Sequence, residues 1–463
     1  MYRHYKDWMM GADGMRTFHF EQVLLPDGWA RGVRLSVANG IVVAIAKNTA
    51  HEEGDERHAV ALPGLPNLHS HAFQRGMAGL AEKGGRSTDS FWTWREAMYQ
   101  FVDRLTPDHL RAIAALAYAE MLECGFTRVG EFHYLHHDRD GRPYADPRAM
   151  SLAIFEAAAE TGIALTHLPV FYAHAGFGGA APGDTQRRFV HDLDGYADLL
   201  EGLKGPLSSL PDGVLGAAPH SLRAVTPDEL GAVVELSSGP IHIHAAEQSR
   251  EVEDCLAWCG ARPVEWLLDR MGVDASWCLI HATHMTDQEA RRLGASGAVA
   301  GLCPITEANL GDGIFPATPF LAAGGAYGIG SDSNVLVDAT EELRLLEYGQ
   351  RLMARGRNMM TPPGGSTGAA LYRAALAGGK RALGAPAELT VGAPADFLTL
   401  HEDHPSLAGR KGDALLDALI FAAGRTAIAG LWRRGRRRVT DGRHVDRDAI
   451  TRRYRAVLAE LLG

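Results

Sequence analysis

A repeated helix-then-strand pattern is the feature that most constrains how this chain folds. Between residues 106 and 331, predicted helices alternate with short apolar strands, as in TPDELGAVVELSSG before PIHIHAAE and TDQEARRLGASG before AVAGLCP. A helix between two strands carries the chain to a parallel neighbour, so the repetition predicts a helix-covered parallel sheet. The number of units favours an α/β fold with a closed (β/α)8 TIM-like barrel over residues 63–385, and an open doubly wound sheet is the alternative.

Both ends of the chain lack this pattern. Residues 17–62 contain strand-like stretches such as TFHFEQVLL separated by turns, and residues 388–446 return to strands and turns. We therefore predict one small composite β-sandwich domain, built from residues 1–62 and 386–446, into which the barrel is inserted. A C-terminal helix is predicted over residues 447–463.

Charge and composition narrow the expected partners. The formal net charge of −10 argues against a partner such as nucleic acid or an anionic membrane, because these need a positive field. No run of about 18 uncharged apolar residues suggests a membrane span, and no signal peptide is predicted. The five cysteines fit neither a disulfide framework nor a structural zinc site. We expect a cytoplasmic protein that acts on a small molecule.

A cluster of arginines, RRGRRR, occupies residues 433–438. Such a cluster is compatible with a nucleic-acid patch, but it is also typical of a solvated β-hairpin. We predict the hairpin, which turns at Gly435, and assign the arginines no function.

Polar residues at the C-terminal ends of barrel strands are the places where barrel enzymes hold their chemistry. His69 and His71 lie two apart on the first strand and so share one face; His244 and Asp332 end two later strands. Each alone is typical of a hydrogen-bonded strand end. Together they supply the nitrogen and oxygen ligands that a zinc-like ion binds, and we predict one divalent ion per chain, zinc first and Fe²⁺ as the alternative.

A second ion is not predicted. Some barrel hydrolases bridge two metals with a carboxylated lysine, and none of the six lysines lies on a predicted barrel strand. These lysines are Lys6, Lys47, Lys83, Lys204, Lys380 and Lys411.

Two further strand ends suggest acid–base chemistry. A water on a lone ion needs one group to remove its proton and another to protonate the leaving group. His281, which ends SWCLIH, and Asp332 are candidates for the first task, and Glu247, three residues after His244, is the candidate for the second. The alternative interpretation of Glu247 is an exposed carboxylate at the start of a helix, without a catalytic role. The combination is the pattern of hydrolytic deamination.

These motifs resemble a known family. HSH at 69–71, HIHAAE at 242–247, His281 and SDS at 331–333 resemble the mononuclear amidohydrolase superfamily. Within it, LPGLPNLHSHAFQRGMAG, AAEQ and LCPITEANLGDGIFP resemble the formimidoylglutamate deiminase family. The resemblance implies a composite β-domain and a (β/α)8 barrel. It also implies hydrolysis of N-formimidoyl-L-glutamate to N-formyl-L-glutamate and ammonia, in histidine degradation.

The resemblance also implies a substrate-binding set: Gln74, Arg95, Tyr134, His220 and Arg223. A glutamate moiety carries two carboxylates, and arginine binds carboxylates with two parallel hydrogen bonds. The alternative interpretation of each arginine is an ordinary salt bridge at the surface or on a helix face. The expected ligand is thus a small dicarboxylate substrate. Separately, we expect a second copy of the chain as partner, in a homodimer.

Other polar residues near these motifs receive no role. Glu307 and Asn309, in the loop after the predicted seventh strand, are expected to shape the mouth of the site without binding an atom. His133, His136 and His137 are predicted to be solvated.

Two other functions stay open on sequence alone. A deaminase of a heterocycle, such as a purine or pterin, shares the metal ligands but needs a flat aromatic pocket instead of carboxylate clamps. An inactive barrel that serves as an assembly protein is expected to lack metal ligands, and all four predicted ligands are present.

Overall fold

The computed structural model describes residues 14–82, 84 and 91–463. The strands are β1 (Arg16–Leu25), β2 (Gly28–Ala38), β3 (Ile41–Ala46), β4 (Glu56–Pro63), β5 (Leu65–Ser70), β6 (Phe126–His133), β7 (Ala164–Phe171), β8 (Val214–Leu215), β9 (Ala218–Pro219), β10 (Ile241–Ala245), β11 (Trp277–His281), β12 (Val299–Leu302), β13 (Ala326–Ile329), β14 (Phe397–Leu400), β15 (Ile428–Arg433), β16 (Arg436–Thr440) and β17 (Arg443–His444).

The α-helices are α1 (Phe91–Val102), α2 (Pro107–Glu123), α3 (Ala149–Thr161), α4 (Leu193–Leu207), α5 (Pro227–Leu236), α6 (Ser249–Cys259), α7 (Pro263–Arg270), α8 (Asp287–Ser296), α9 (Pro304–Leu310), α10 (Ala317–Ala322), α11 (Ala339–Ala354), α12 (Thr367–Ala382), α13 (Asp413–Ala418) and α14 (Arg447–Leu462). Short 3₁₀ or π turns occupy Ala72–Met77, Asp184–Gln186, Pro405–Leu407, Leu419–Ala423 and Gly424–Ala427.

Strands from both ends of the chain share one sheet, in the order β17-β16-β15-β14-β4-β1-β2-β3. The sequence predicted a sandwich, whereas these eight strands are hydrogen bonded into one continuous sheet. Phe18 and Trp432 lie on strands separated by two others, yet their ring centroids are 6.3 Å apart. Neighbouring strands are about 4.8 Å apart, so the sheet curves around this aromatic core, which Phe20 and Phe397 complete.

The middle of the chain forms two parallel sheets, β5-β6-β7-β8, with β9 beside β7, and β10-β11-β12-β13. Single parallel bridges, Ser70 with Asp332 and Ala217 with Ile241, connect the two sheets. Because every strand in each sheet points the same way, the strand C-termini lie along a common edge. The predicted metal ligands belong to this edge.

Local sequence signals fix where several helices begin. The Thr106 side chain accepts a hydrogen bond from the backbone of α2, and Pro107 takes the first helical position. Thr226 and Glu229 form a reciprocal capping box at the start of α5. No helix within residues 14–82, 84 and 91–463 combines the length and apolarity that a membrane span requires.

The arginine cluster forms the predicted hairpin, since β15 and β16 pair around a turn at Gly435. Arg433, however, is buried rather than solvated, with a side chain 4% exposed. It contacts Asp396 and lies 3.2 Å from Asp212, and these carboxylates compensate its buried charge. Arg433 therefore connects the β-domain to the part of the chain that carries the parallel sheets.

Candidate active site

Four predicted metal ligands converge at the strand edge. The Nε2 atoms of His69 and His244 are 3.1 Å apart, and Asp332 Oδ1 lies 3.6 Å from His69 Nε2 and 3.3 Å from His71 Nε2. Ligand atoms held about 2.0–2.2 Å from one zinc ion at tetrahedral angles are separated by about 3.0–3.6 Å. The four side chains therefore have the spacing and donor set that fit a single divalent ion.

Backbone carbonyls orient two of the ligands. His71 Nδ1 lies 2.9 Å from the Phe132 carbonyl oxygen, and His244 Nδ1 lies 3.1 Å from that of His220. A carbonyl accepts only from an N–H, so Nδ1 carries the hydrogen and Nε2 presents its lone pair. Burial lowers the pKa of His71 to about 3, which keeps the imidazole neutral, as a metal ligand must be.

The backbone around Asp332 ties the first and last strands together. Its N–H donates to the His69 carbonyl (3.0 Å), and its own carbonyl accepts from the His71 N–H (2.9 Å). The Asn334 amide donates to the carbonyl oxygens of His71 and Asp332. Asp332 has a left-handed φ of 44°, a strained backbone that persists only where the surroundings enforce it. The ligand positions are thus set by backbone hydrogen bonds.

The predicted acid–base groups face one another beside these ligands. His281 Nε2 lies 3.7 Å from Glu247 Oε1 and 3.7 Å from Asp332 Oδ2. Burial opposes protonation of His281, but the carboxylates of Glu247, Glu307 and Asp332 outweigh it and raise its pKa to about 10. Burial is the main cause that raises the pKa of Asp332 to about 7. At these distances His281 Nε2 faces both carboxylates without a direct hydrogen bond to either.

The described residues offer one other group with metal-ligand spacing, His281, Cys303 and Asp332. Burial raises the pKa of the Cys303 thiol well above its usual range, so the thiolate that binds metals is disfavoured. Lys204 lies on α4, and Lys6 and Lys83 fall outside the described residues. The geometry therefore favours a single ion.

One cavity gathers the predicted substrate-binding residues. It is lined by Gln74, Arg95, Tyr134, His220 and Arg223, together with His71, His244, Glu247, His281 and Asp332. Gln74 Nε2 donates to the Tyr134 hydroxyl (2.8 Å), whereas its buried Oε1 has no hydrogen-bond partner in the described part of the chain. An unpaired acceptor on a cavity wall is a group that a ligand donor can satisfy.

The two arginines approach this cavity from different elements. Arg223 follows β9, and its Nη2 lies 3.9 Å from Glu247 Oε2. Its Nε is buried and, among the residues described, has no hydrogen-bond acceptor. Arg95 extends from α1, donates to the Tyr172 hydroxyl (3.2 Å) and packs over the Tyr99 ring. The two guanidinium groups can thus bind the two carboxylates of a dicarboxylate ligand.

Some residues of this site were missed by sequence reasoning. Tyr172 directly follows β7, a strand-end signal that could have identified it. Tyr99 and Glu251 lie four residues after Arg95 and Glu247, respectively. Glu251 accepts from the Ala246 and Glu247 N–H groups. The i, i+4 spacing is a usable signal for Tyr99, since both residues lie on α1.

Two expectations about polar residues were wrong. Glu307 lies inside the site, where its Oε1 is 3.2 Å from His281 Nδ1, rather than at the mouth. His133, His136 and His137 are buried, not solvated, since His136 and His137 satisfy backbone carbonyls at 3.0 and 2.7 Å. Asn309 is exposed and donates to Glu82 (2.7 Å).

Comparison with known proteins gives a consistent picture. Residues 60–438 match the model of the amidohydrolase family, and residues 15–59 match that of the N-terminal domain of the formimidoylglutamate deiminase HutF. A formimidoylglutamate deiminase from Pseudomonas aeruginosa is 52% identical over 97% of this chain and 100% of its own length.

Solved structures agree with this likeness. An amidohydrolase from Brucella melitensis is 54% identical, with a TM-score of 0.94 over 97% of this chain and 100% of its own. An adenosine deaminase from Xanthomonas campestris with bound zinc is 22% identical, with a TM-score of 0.78 over 96% and 98% of the two chains, and shares the fold. The chain therefore belongs to the amidohydrolase family and, within it, to the formimidoylglutamate deiminases.

Proposed function

We propose that this chain hydrolyses N-formimidoyl-L-glutamate to N-formyl-L-glutamate and ammonia, a step of histidine degradation. One observation carries the proposal: a single cavity is lined by metal ligands, by acid–base groups and by two arginines, Arg95 and Arg223. The substrate has a matching division, with an electrophilic formimidoyl carbon at one end and two carboxylates at the other. The relative from Pseudomonas aeruginosa carries this activity in its name.

We propose that His69, His71, His244 and Asp332 hold one Zn²⁺, with Fe²⁺ as the alternative. Three neutral imidazoles and a carboxylate suit either ion, and their spacing supports one ion rather than two. The chemistry that such an ion supplies when bound is Lewis-acid activation of water and of the substrate.

The side chains around His281 supply the proton transfers. Asp332, with His281 beside it, receives the proton of the attacking water. Glu247 faces the same point from the opposite wall and delivers a proton to the departing nitrogen, so that ammonia leaves. The new C=O bond stays on the N-formyl product. Burial of all three groups excludes bulk water from the transfer.

Substrate orientation comes from other residues that line the cavity. Arg223, whose buried Nε has no hydrogen-bond partner among the described residues, binds one carboxylate, and Arg95 binds the other. The free Oε1 of Gln74 accepts from a substrate N–H, while its Nε2 is fixed by Tyr134. His220, whose pKa is lowered by burial and so stays neutral, lines the wall between these groups.

The alternative is deamination of a heterocycle on the same scaffold. Trp94, Phe91 and Tyr134 line the cavity and provide aromatic surface. The Arg223 Nε, however, has no hydrogen-bond acceptor among the described residues, and a substrate carboxylate supplies a charge-assisted bond to it that an uncharged purine ring does not. The dicarboxylate is therefore the favoured substrate.

We also propose a closed (β/α)8 barrel over residues 63–385, beside the β-domain of residues 1–62 and 386–446 and the helix of residues 447–463. The two bridges that join the parallel sheets support closure. Cytoplasmic location, a homodimer and the absence of a nucleic-acid partner belong to the same proposal. Sedimentation analysis of the purified chain tests the dimer.

Ammonia release tests the proposed activity. Purified protein loaded with zinc is mixed with N-formimidoyl-L-glutamate, ammonia is quantified, and the organic product is identified by NMR. We expect ammonia and N-formyl-L-glutamate in a one-to-one ratio, with one metal equivalent per chain. No turnover by the fully loaded protein refutes the activity, and a rise in activity with a second equivalent refutes the single ion.

A further inference from the structure

Glu307 has a contact that the proposed proton transfers do not use. It lies on α9, just after β12, and is 5% exposed. Its Oε1 is 3.2 Å from His281 Nδ1, on the side of the ring opposite the reacting groups. The same oxygen accepts from the Cys303 backbone N–H at 2.9 Å. Glu307 is therefore held in place by the backbone while it faces the histidine.

The two nitrogens of His281 have different surroundings. Nε2 is 3.7 Å from both Glu247 and Asp332, and it has no hydrogen bond in the described part of the chain. Nδ1, by contrast, has an acceptor in Glu307. An imidazole with an acceptor at Nδ1 keeps its hydrogen there and cannot rotate without losing that bond.

We infer that Glu307 is a positioning residue, which fixes the ring of His281 so that Nε2 faces the Glu247–Asp332 pair. This inference rests on the proposed function. Glu307 touches no substrate in this account; it acts through His281. The backbone of His281, the last residue of β11, is left-handed, with a φ of 66°.

A purely structural role for Glu307 makes a different prediction. Its bond to Cys303 also stabilises the start of α9, and this alone would explain its burial. Glu342 offers a matched comparison, since its buried carboxylate accepts from the Ile305 backbone N–H at the same helix start (2.9 Å). Among the described residues, no hydrogen bond or ion pair joins Glu342 to His281. Only Glu307 combines both contacts.

The experiment compares Glu307→Leu with Glu342→Leu in the ammonia assay, with metal content measured for both. We expect Glu307→Leu to lower kcat about 10- to 100-fold, with KM and metal content within about twofold of the unmodified protein. Glu342→Leu should leave kcat within about threefold. Glu307→Gln, which keeps an acceptor for both donors, should restore most of the lost kcat. Equal losses in the two leucine variants overturn the inference.

A double substitution isolates the pathway through His281. Glu307→Leu should cause no further loss of kcat when added to His281→Asn, because the group it positions is absent. A full additional loss overturns the inference. If Glu307→Leu does not fold, Glu307→Asp is measured instead, because its side chain is shorter by one carbon and withdraws the carboxylate from His281. We then expect kcat to fall at least about fivefold. An unchanged kcat overturns the inference. Inactive unmodified protein refutes the proposed function instead.

Discussion

Two groups of residues that line the cavity are built by different means. We call the predicted metal ligands its metal-ligand end, and Arg95 and Arg223 its substrate-carboxylate end. At the metal-ligand end, the backbones of His69 and Asp332 are hydrogen bonded to each other, and the His244 N–H donates to the His220 carbonyl (3.0 Å). At the substrate-carboxylate end, Arg95 extends from α1 and Arg223 from a segment after β9, and both are only partly buried. The first end depends on sheet hydrogen bonds, the second on side-chain contacts such as Arg95 with Tyr172.

This difference separates the residues that determine the reaction from those that determine substrate preference. A strand-end ligand cannot move unless the sheet register changes, so the metal-ligand end is held rigidly. A helix or loop can change its side chains while the sheet stays the same, and substrate preference can change with it. Substitutions at the metal-ligand end should therefore lower kcat, whereas substitutions at the substrate-carboxylate end should raise KM.

The largest effect is expected for Asp332→Ala, which removes a ligand and an acid–base group together. We expect loss of bound metal and a fall in turnover of about 10³-fold or more. Metal analysis and the ammonia assay measure both. Asp338→Ala is the control, since Asp338 caps α11 and should cost only about 1 kcal/mol of stability. Retention of metal and activity in Asp332→Ala contradicts the assignment.

Glu247→Gln should keep the metal but remove the proton donor. Because the amide has nearly the same shape, we expect kcat to fall about 100- to 10,000-fold with little change in KM. Steady-state kinetics on the metal-loaded variant tests this. Glu253→Gln, on an exposed face of α6, should leave both parameters unchanged. If KM rises while kcat is unchanged, Glu247 belongs to the substrate-carboxylate end instead.

Arg223→Ala should show the opposite behaviour. Loss of a charge-assisted carboxylate contact is expected to raise KM about 100-fold, whereas kcat should fall less than about tenfold. Arg223→Lys should recover only part of the affinity, because lysine lacks the planar fork. The exposed Arg270→Ala serves as control. A fall in kcat with unchanged KM would show that the two ends are not separable.

The smallest effect is expected for Gln74→Ala, which removes one neutral hydrogen bond. Such a bond contributes about 0.5–1.5 kcal/mol, so KM should rise about 2- to 13-fold while metal content stays constant. The same kinetic comparison applies, with Gln288→Ala on exposed α8 as control. An unchanged KM would indicate that Gln74 only supports Tyr134.

The metal-ligand end could be predicted from the sequence because local rules determine it. Residues two apart on a strand share a face, which brings His69 and His71 together, and strands alternating with helices align the ends that carry His244 and Asp332. The contact of Glu307 with His281 could not be predicted, since the two residues are 26 apart and lie on adjacent strand ends whose loop geometry has no short-range signal.

Errors of prediction share a physical cause as well. The histidines of the sequence HYLHH were interpreted as solvated, but His136 and His137 are buried because backbone carbonyls satisfy them. The predicted sandwich is one curved sheet because β4 pairs with both β1 and β14, a long-range pairing that alternation within each strand does not encode. Alternation identifies strands, not their partners.

The preference between two substrates tests the central claim most directly. We compare kcat/KM of the zinc-loaded protein for N-formimidoyl-L-glutamate and for N-formimidoylglycine, which keeps the reacting group but has one carboxylate fewer. If Arg95 and Arg223 each bind a carboxylate, kcat/KM should favour the glutamate compound by at least about 100-fold. Equal values for the two compounds would contradict the account.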